Sequence, residues 1–171
     1  MHNLSTNFNQ FLEITKSVNE HLAKQMNEGE NVFIVDSIPV PICKIVREKS
    51  SRICRENFDT APDKGYSAVN KTWYFGYKIH LVTSVKRVFY SMDISKASVH
   101  DIHYLNDIKH SGLNNCTLIG DRGYLSKTSQ LDLFNTVEIQ LKTPIRNNQK
   151  DKQPFEPVFR KCRKWIETLF A

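Results

Sequence analysis

Two aspartates stand directly after short apolar segments that are typical of core strands: Asp36 follows 32–35, and Asp121 follows 117–120. Functional groups of α/β proteins gather where strands end, so the two carboxylates could be neighbours. Neighbouring carboxylates repel unless one is protonated or a cation lies between them. Mg²⁺ prefers oxygen ligands and keeps several waters, so two or three carboxylates can hold it. The ordinary alternative is an aspartate that only starts a turn.

Three further acids compete for a third position in such a site. Glu167 lies on a predicted amphipathic helix, where its alternative role is an i,i+4 pair with Arg163 worth about 0.2–0.5 kcal/mol. Asp101 fits a capping box with Ser98, which accounts for it without any chemistry. Asp93 lies on a predicted hairpin strand. The residues alone rank Glu167 first and leave the choice open.

The net charge of +6 comes from one part of the chain. Between Lys142 and Lys164 there are eight Lys or Arg and two Asp or Glu, whereas the other residues carry sixteen of each sign. A second cluster, Lys44 to Arg55, has five basic residues and one acidic residue. Basic patches favour a polyanionic partner, although a solvated face has the same composition.

With 40% hydrophobic residues, the chain can build an ordinary core. A chain of 171 residues forms one domain, or one domain with a short appendage. No apolar run approaches the roughly 20 residues of a membrane span, and the N-terminus lacks the apolar core of a signal peptide. The four cysteines are scattered without a CxxC pair, which fits a reducing cytoplasm rather than a disulfide framework or zinc site.

The predicted elements that position these residues follow the order β, ββ, α, β, α, β, α. The predicted strands are 32–37, 73–84, 88–95, 117–121 and 137–143. The predicted helices lie within 1–30, 97–110, 126–135 and 154–171. Prolines end the first strand, and 43–72 is a predicted surface loop. This order predicts an α/β fold, in which a mixed sheet is flanked by helices.

Five blocks carry a family resemblance: FIVDSIPVPIC, GYSAVNKTWYFGYKIHL, ASVHDIHYL, LIGDRGY and RKWIET. Together and in this order they resemble the DDE transposases of bacterial insertion sequences, most closely the nine-eighty-two group. The resemblance covers about residue 32 to the end. It implies an RNase H-like fold, with 1–31 as a helical appendage and 32–171 as the catalytic domain.

The resemblance also implies a site and a reaction. Its motifs place a catalytic triad at Asp36, Asp121 and Glu167, which would hold two Mg²⁺ or Mn²⁺ ions. The implied reaction is metal-dependent DNA strand cleavage and strand transfer in transposition.

The implied partner is DNA, both the element ends and the target. It would be bound by a homodimer in the bacterial cytoplasm, at the nucleoid and away from membranes. Basic side chains would hold the DNA backbone without reading its sequence. Those expected to do so are Lys142, Arg146, Arg160, Arg163 and Lys164.

The sequence departs from the family at its C-terminal end. The family pattern Y-x-x-R-x-x-x-E is matched at Arg163 and Glu167, but Arg160 stands in the tyrosine position. A lysine expected seven positions after the glutamate would fall beyond Ala171. The sequence therefore resembles a truncated copy whose catalytic domain is incomplete. Two alternatives stay open: a nuclease of the same fold, and an inactive or domesticated DNA-binding remnant.

Four further side chains have both a functional and a structural interpretation. Lys78 and His80 share one face of their strand and could point to the site or to solvent, and a structural hydrogen bond is favoured for His80. Tyr124 and Trp73 could stack on flipped bases. Core packing is the more common role of such aromatic residues.

Overall fold

The computed structural model describes residues 2–68, 70–144 and 156–169, with only the backbone described at 2–10, 12, 13, 16, 163 and 165–169. The strands in this part of the chain are β1 Val32–Lys44, β2 Asp63–Ser67, β3 Thr72–Ser84, β4 Phe89–Lys96, β5 Cys116–Ile119 and β6 Ile139–Lys142. The α-helices are α1 His2–Met26, α2 Tyr104–Ile108, α3 Lys127–Val137 and α4 Pro157–Leu169. Short 3₁₀ helices span Ile45–Ser50, Asp101–His103 and Arg122–Tyr124.

Strand β1 is at the centre of a mixed sheet. It pairs antiparallel with β3 on one side and parallel with β5 on the other, and β6 continues the sheet parallel to β5. The far edge of β3 pairs with β2 along its first half and with β4 along its second half. The predicted α/β fold is therefore confirmed, and this is the sheet expected of an RNase H-like domain.

Helices cover both faces of this sheet. The core face carries Phe33 and Val35, which pack in the main hydrophobic cluster with residues of α2 and α3. The opposite face, which we call the α4 face, carries Ile34 and Ile119. These two residues pack against Cys162 of α4. Because side chains alternate along a strand, Asp36 lies on the α4 face together with Ile34. None of the helices described combines the length and hydropathy needed to cross a bilayer.

The prediction that prolines end the first strand is wrong. Strand β1 runs through Pro39 and Pro41, which lie opposite Lys78 and Gly76 of β3. The described pairing of β1 with β5 stops at Ile34, so this half of β1 has an open side. Two prolines spaced by two residues turn their missing N–H groups to the same side, where no ladder hydrogen bond is lost.

The loop predicted over 43–72 contains regular structure. It includes the 3₁₀ helix Ile45–Ser50 and strand β2, which pairs with the start of β3. A five-residue edge strand with a single aromatic residue gives a weak sequence signal, since little of the strand is buried. The β3–β4 hairpin is confirmed, with a hydrogen bond from Arg87 N to Ser84 O of 2.9 Å.

The predicted capping box of Ser98 and Asp101 is also wrong. The 3₁₀ helix Asp101–His103 is capped by His100, whose ring nitrogen accepts from Ile102 N. Ser98 hydrogen-bonds instead to Asp63, which lowers the pKa of that carboxyl group. The explanation that set Asp101 aside as a structural residue therefore does not hold.

Replacing Gly76 by Ala should destabilise the fold, because an added Cβ would lie 2.1 Å from the Val40 carbonyl oxygen. Both groups belong to the paired backbones of β1 and β3, so neither can move without disturbing the ladder. We expect the free energy of unfolding, measured by urea denaturation, to fall by about 1–3 kcal/mol. Thr72→Ala at the exposed end of β3 is the control, with a change within about 0.5 kcal/mol. A wild-type midpoint in Gly76→Ala would contradict this close strand approach.

Candidate active site

The parallel pairing of β1 and β5 brings two of the predicted site residues together. Ile34 lies opposite Ile119 in the register of the two strands, and Asp36 and Asp121 each follow two residues later. The backbone at Asp121 remains extended, with φ −82° and ψ −173°. The described pairing ends at Ile34 and Ile119, and two extended residues beyond it carry both aspartates to the same end of the sheet.

Each of these carboxylates is held by a nearby backbone donor. Asp36 Oδ1 accepts from Ser37 N at 2.8 Å, and Asp121 Oδ1 accepts from Gly123 N at 2.6 Å. Asp121 thereby caps the 3₁₀ helix that follows it. The turn role considered for this residue is therefore real, and it fixes the carboxylate in place beside Asp36.

A third carboxylate, Asp101, lies at the same end of the sheet. Its Oδ1 accepts from Lys78 Nζ at 2.8 Å. Its Oδ2 lies near Gly123, where an added Cβ would be 3.0 Å from this atom and 2.9 Å from Asp121 Oδ1. Sequence reasoning considered Asp101 for the third position and set it aside because of the capping-box interpretation. The family block ASVHDIHYL, which contains Asp101, was the signal that could have found it.

Lys78 and His80 have different surroundings although they share a strand face. Lys78 points to the site, where its Nζ donates to Asp101 and, at 2.6 Å, to the Val99 carbonyl oxygen. His80 is buried, with Nε2 at 2.8 Å from Ser95 Oγ and its ring stacked on Tyr104. Burial lowers the pKa of His80, so the ring is neutral. The structural interpretation of His80 is confirmed.

Tyr124 is fully buried beside the three aspartates. Its ring belongs to the main core cluster, and its hydroxyl lies near the Ser37 side chain without a hydrogen bond of good geometry. Burial raises the pKa of Tyr124 well above its usual value, Asp101, Asp36 and Asp121 raise it further, and the Ser37 side chain lowers it. The hydroxyl is thus a protonated donor next to a group of carboxylates.

Core packing is confirmed for Tyr124, but not for the other aromatic residue singled out in the sequence. The side chain of Trp73 is 58% exposed and leans against Tyr66, with ring centroids 5.4 Å apart. The indole lies on β3 where the neighbouring strand is the short edge strand β2, so nothing in the described chain covers it.

Helix α4 lies over the sheet face that carries Asp36. Phe159 and Cys162 pack against Ile34 and Ile119 of this face. The backbone of Glu167 belongs to the same helix, and its side chain lies outside the described residues. No three His, Cys, Asp or Glu side chains in the described part are close enough together to hold a metal ion.

Three of the five predicted DNA-binding residues have described side chains. Lys142 lies opposite Ile119 at the end of β6, which places it beside the strand that carries Asp121. Arg160 and Lys164 are exposed on α4. The side chain of Arg163 and the whole of Arg146 lie outside the described residues.

Tyr124→Phe tests whether the buried hydroxyl lacks a partner. Leaving a buried polar group unsatisfied is costly, so its removal should raise the free energy of unfolding by about 1 kcal/mol in urea denaturation with a chelator present. Tyr104→Phe is the matched control, because the hydroxyl of Tyr104 lies 3.2 Å from Ser91 Oγ and its loss should lower stability by a similar amount. Equal destabilisation by both changes would show that the Tyr124 hydroxyl is already paired.

Comparison with known proteins agrees with this arrangement. No curated protein matches the chain. A protein-family model described as a transposase DDE domain matches residues 26–171, which include β1, β5, the end of α1 and all of α4. Such domains act on DNA with divalent metal ions. The chain therefore belongs to the transposase DDE domain family.

Proposed function

We propose that this chain is the catalytic domain of a DDE transposase of the nine-eighty-two group. In this proposal it cleaves DNA strands and joins the freed 3′ ends to target DNA during transposition of an insertion sequence. The observation that carries the proposal is the register of β1 and β5, which sets Asp36 and Asp121 side by side. Two like charges held together in this way favour a cation between them.

The side chains at this position fit a hard divalent cation. Asp36 and Asp121 offer carboxylate oxygens, which Mg²⁺ and Mn²⁺ prefer. The nearby imidazole of His80 is buried and stacked, so it does not compete as a ligand. Glu167 would complete the set from α4, the helix that covers the same sheet face. We propose two such ions, held by Asp36, Asp121 and Glu167.

The chain has to position a phosphodiester group in this site. When bound, the cations would activate the attacking oxygen and stabilise the leaving oxygen. Cleavage uses water: its oxygen bonds to phosphorus, and the bond to the 3′ oxygen breaks. In strand transfer the freed 3′ hydroxyl attacks the target phosphate in the same way. Neither step requires a covalent intermediate with the protein.

Basic side chains would hold the DNA backbone next to the carboxylates. Lys142 lies beside the end of β5, and Arg160 and Lys164 are exposed on α4. Arg163 and Arg146 are proposed for the same role on the basis of the sequence. Such contacts fix the position of DNA and contribute a salt-dependent affinity without selecting its sequence.

The same proposal includes the domain boundaries, the oligomeric state and the location of the protein. Residues 1–31 would be a helical appendage to a catalytic domain that spans 32–171. The active form would be a homodimer on DNA in the bacterial cytoplasm, at the nucleoid. Its DNA partners would be the ends of the element and the target.

A nicking assay tests the proposed reaction. With Mg²⁺ or Mn²⁺, the chain should convert supercoiled plasmid to nicked circles, and a chelator should stop this conversion. Asp36→Asn and Asp121→Asn should each abolish the metal-dependent nicking, since each removes a proposed ligand without changing the size of the side chain. Asp93→Asn, which changes an exposed carboxylate on β4, is the control and should retain the activity.

Two outcomes would contradict the proposal. Nicking that continues with a chelator, or in Asp36→Asn, would show that the carboxylates are not the catalytic groups. Adding a labelled oligonucleotide with a free 3′ hydroxyl separates strand transfer from hydrolysis, because only a transposase would join it to the plasmid. Nicking without joining would favour a nuclease of the same fold.

A further inference from the structure

The ion pair of Lys78 and Asp101 is not used by the proposed reaction. Lys78 lies on β3 and Asp101 follows β4, so the pair connects two separate elements at the same end of the sheet as Asp121. The exposed fractions of the two side chains are 17% and 23%. Lys78 also donates to the Val99 carbonyl oxygen, so its ammonium group is fixed by two acceptors. A pair this rigid and this close to the site is a candidate for a functional role.

The orientation of Asp101 is set by this pairing. Lys78 holds Oδ1 at 2.8 Å, which turns Oδ2 towards Gly123. Asp121 Oδ1 approaches Gly123 as well: a Cβ added there would lie 2.9 Å from that atom and 3.0 Å from Asp101 Oδ2. The two carboxylates therefore approach each other across a glycine, and a side chain at position 123 would occupy the space between them.

The buried hydroxyl of Tyr124 borders the same carboxylates. Asp101, Asp36 and Asp121 all raise the pKa of Tyr124 beyond the effect of burial, and the nearby Ser37 side chain lowers it. The carboxylate of Asp101 therefore faces the same buried position as the carboxylates of Asp36 and Asp121.

We propose that Asp101 is a positioning residue of the cation site, held by Lys78 so that its second oxygen adds negative charge beside Asp121. The inference rests on the proposed function, because it concerns the cation that Asp36 and Asp121 would bind. We place Asp101 outside the ligand shell because its Oδ1 is occupied by Lys78 and its Oδ2 faces Gly123. Carboxylates just outside the ligand shell commonly orient the ligands and tune the affinity for the metal.

The opposite charges of Lys78 and Asp101 predict that substitutions of the two residues have opposite effects on cation binding. Lys78 and Asp101 together are neutral, with the carboxylate on the side of Asp121. Asp101→Asn leaves an uncompensated ammonium near the site, which repels a cation. Lys78→Gln leaves an uncompensated carboxylate, which attracts one. If the ion pair only stabilised the contact between β3 and the turn after β4, both substitutions would weaken the binding of the cation.

The test is the dissociation constant of Mn²⁺ for the full chain, measured by isothermal titration calorimetry without DNA. Asp101→Asn should weaken binding by about 10-fold. Lys78→Gln, whose amide can still donate to Asp101 but carries no charge, should bind Mn²⁺ at least as tightly as the wild type. Lys78→Arg keeps the charge and should match the wild type, and Asp93→Asn controls for removal of an exposed carboxylate elsewhere on the sheet. Circular dichroism of each metal-free variant establishes that it is folded.

Two results would overturn the role of Asp101: wild-type affinity in Asp101→Asn, or weakening in folded Lys78→Gln that equals the weakening in Asp101→Asn. If Lys78→Gln does not fold, Lys78→Arg with weakened binding counts against the proposal, because its charge is retained. Asp121→Asn distinguishes a failure of the proposed function from a failure of the role proposed for Asp101. Wild-type Mn²⁺ binding in Asp121→Asn would overturn the proposed function, and this inference with it, whereas loss of binding there leaves the result for Asp101 decisive.

Discussion

The parallel pairing of β1 with β5 is the constraint on which the rest of the site depends. Its register sets Ile34 against Ile119, and the same spacing then carries Asp36 and Asp121 to the same level. The hydrophobic residues of the two strands are buried on both faces, under α2 and α3 on one side and α4 on the other. Burial on both faces fixes the register, because a slip of one residue would turn the apolar side chains outward. The sheet can therefore hold two like charges together.

The surroundings of these carboxylates offset their mutual repulsion. Backbone N–H groups satisfy Asp36 and Asp121, and Lys78 neutralises Asp101. Charges spread over the protein surface could not offset this repulsion between the carboxylates, because exposed charges are screened within about 8–10 Å at physiological salt. The arrangement is thus local, and it resides in strands β1 and β3 and in the turns that follow β4 and β5.

Much of the fold could be predicted from the sequence, because apolar runs such as those before Asp36 and Asp121 can hardly avoid the core. Features that depend on a partner far away along the chain could not be predicted. The prolines of β1 are tolerated only because β5 stops pairing early, and the role of Asp101 depends on Lys78, which lies on another strand. Local reasoning offered a capping box instead, since sequence alone shows only the neighbours of Asp101 along the chain. Glu167 ranks first from the residues alone and again by the family resemblance, and its role in the site remains a proposal.

The most direct measurement of the central claim is the position of Mn²⁺ in crystals of the full chain, located by anomalous scattering. The account predicts a peak between Asp36 and Asp121, with carboxylate oxygens of both residues at about 2.0–2.2 Å. It also predicts that the peak disappears from crystals of Asp121→Asn. A peak bound by only one of the two aspartates, or a strong peak elsewhere that the substitution leaves unchanged, would contradict the account.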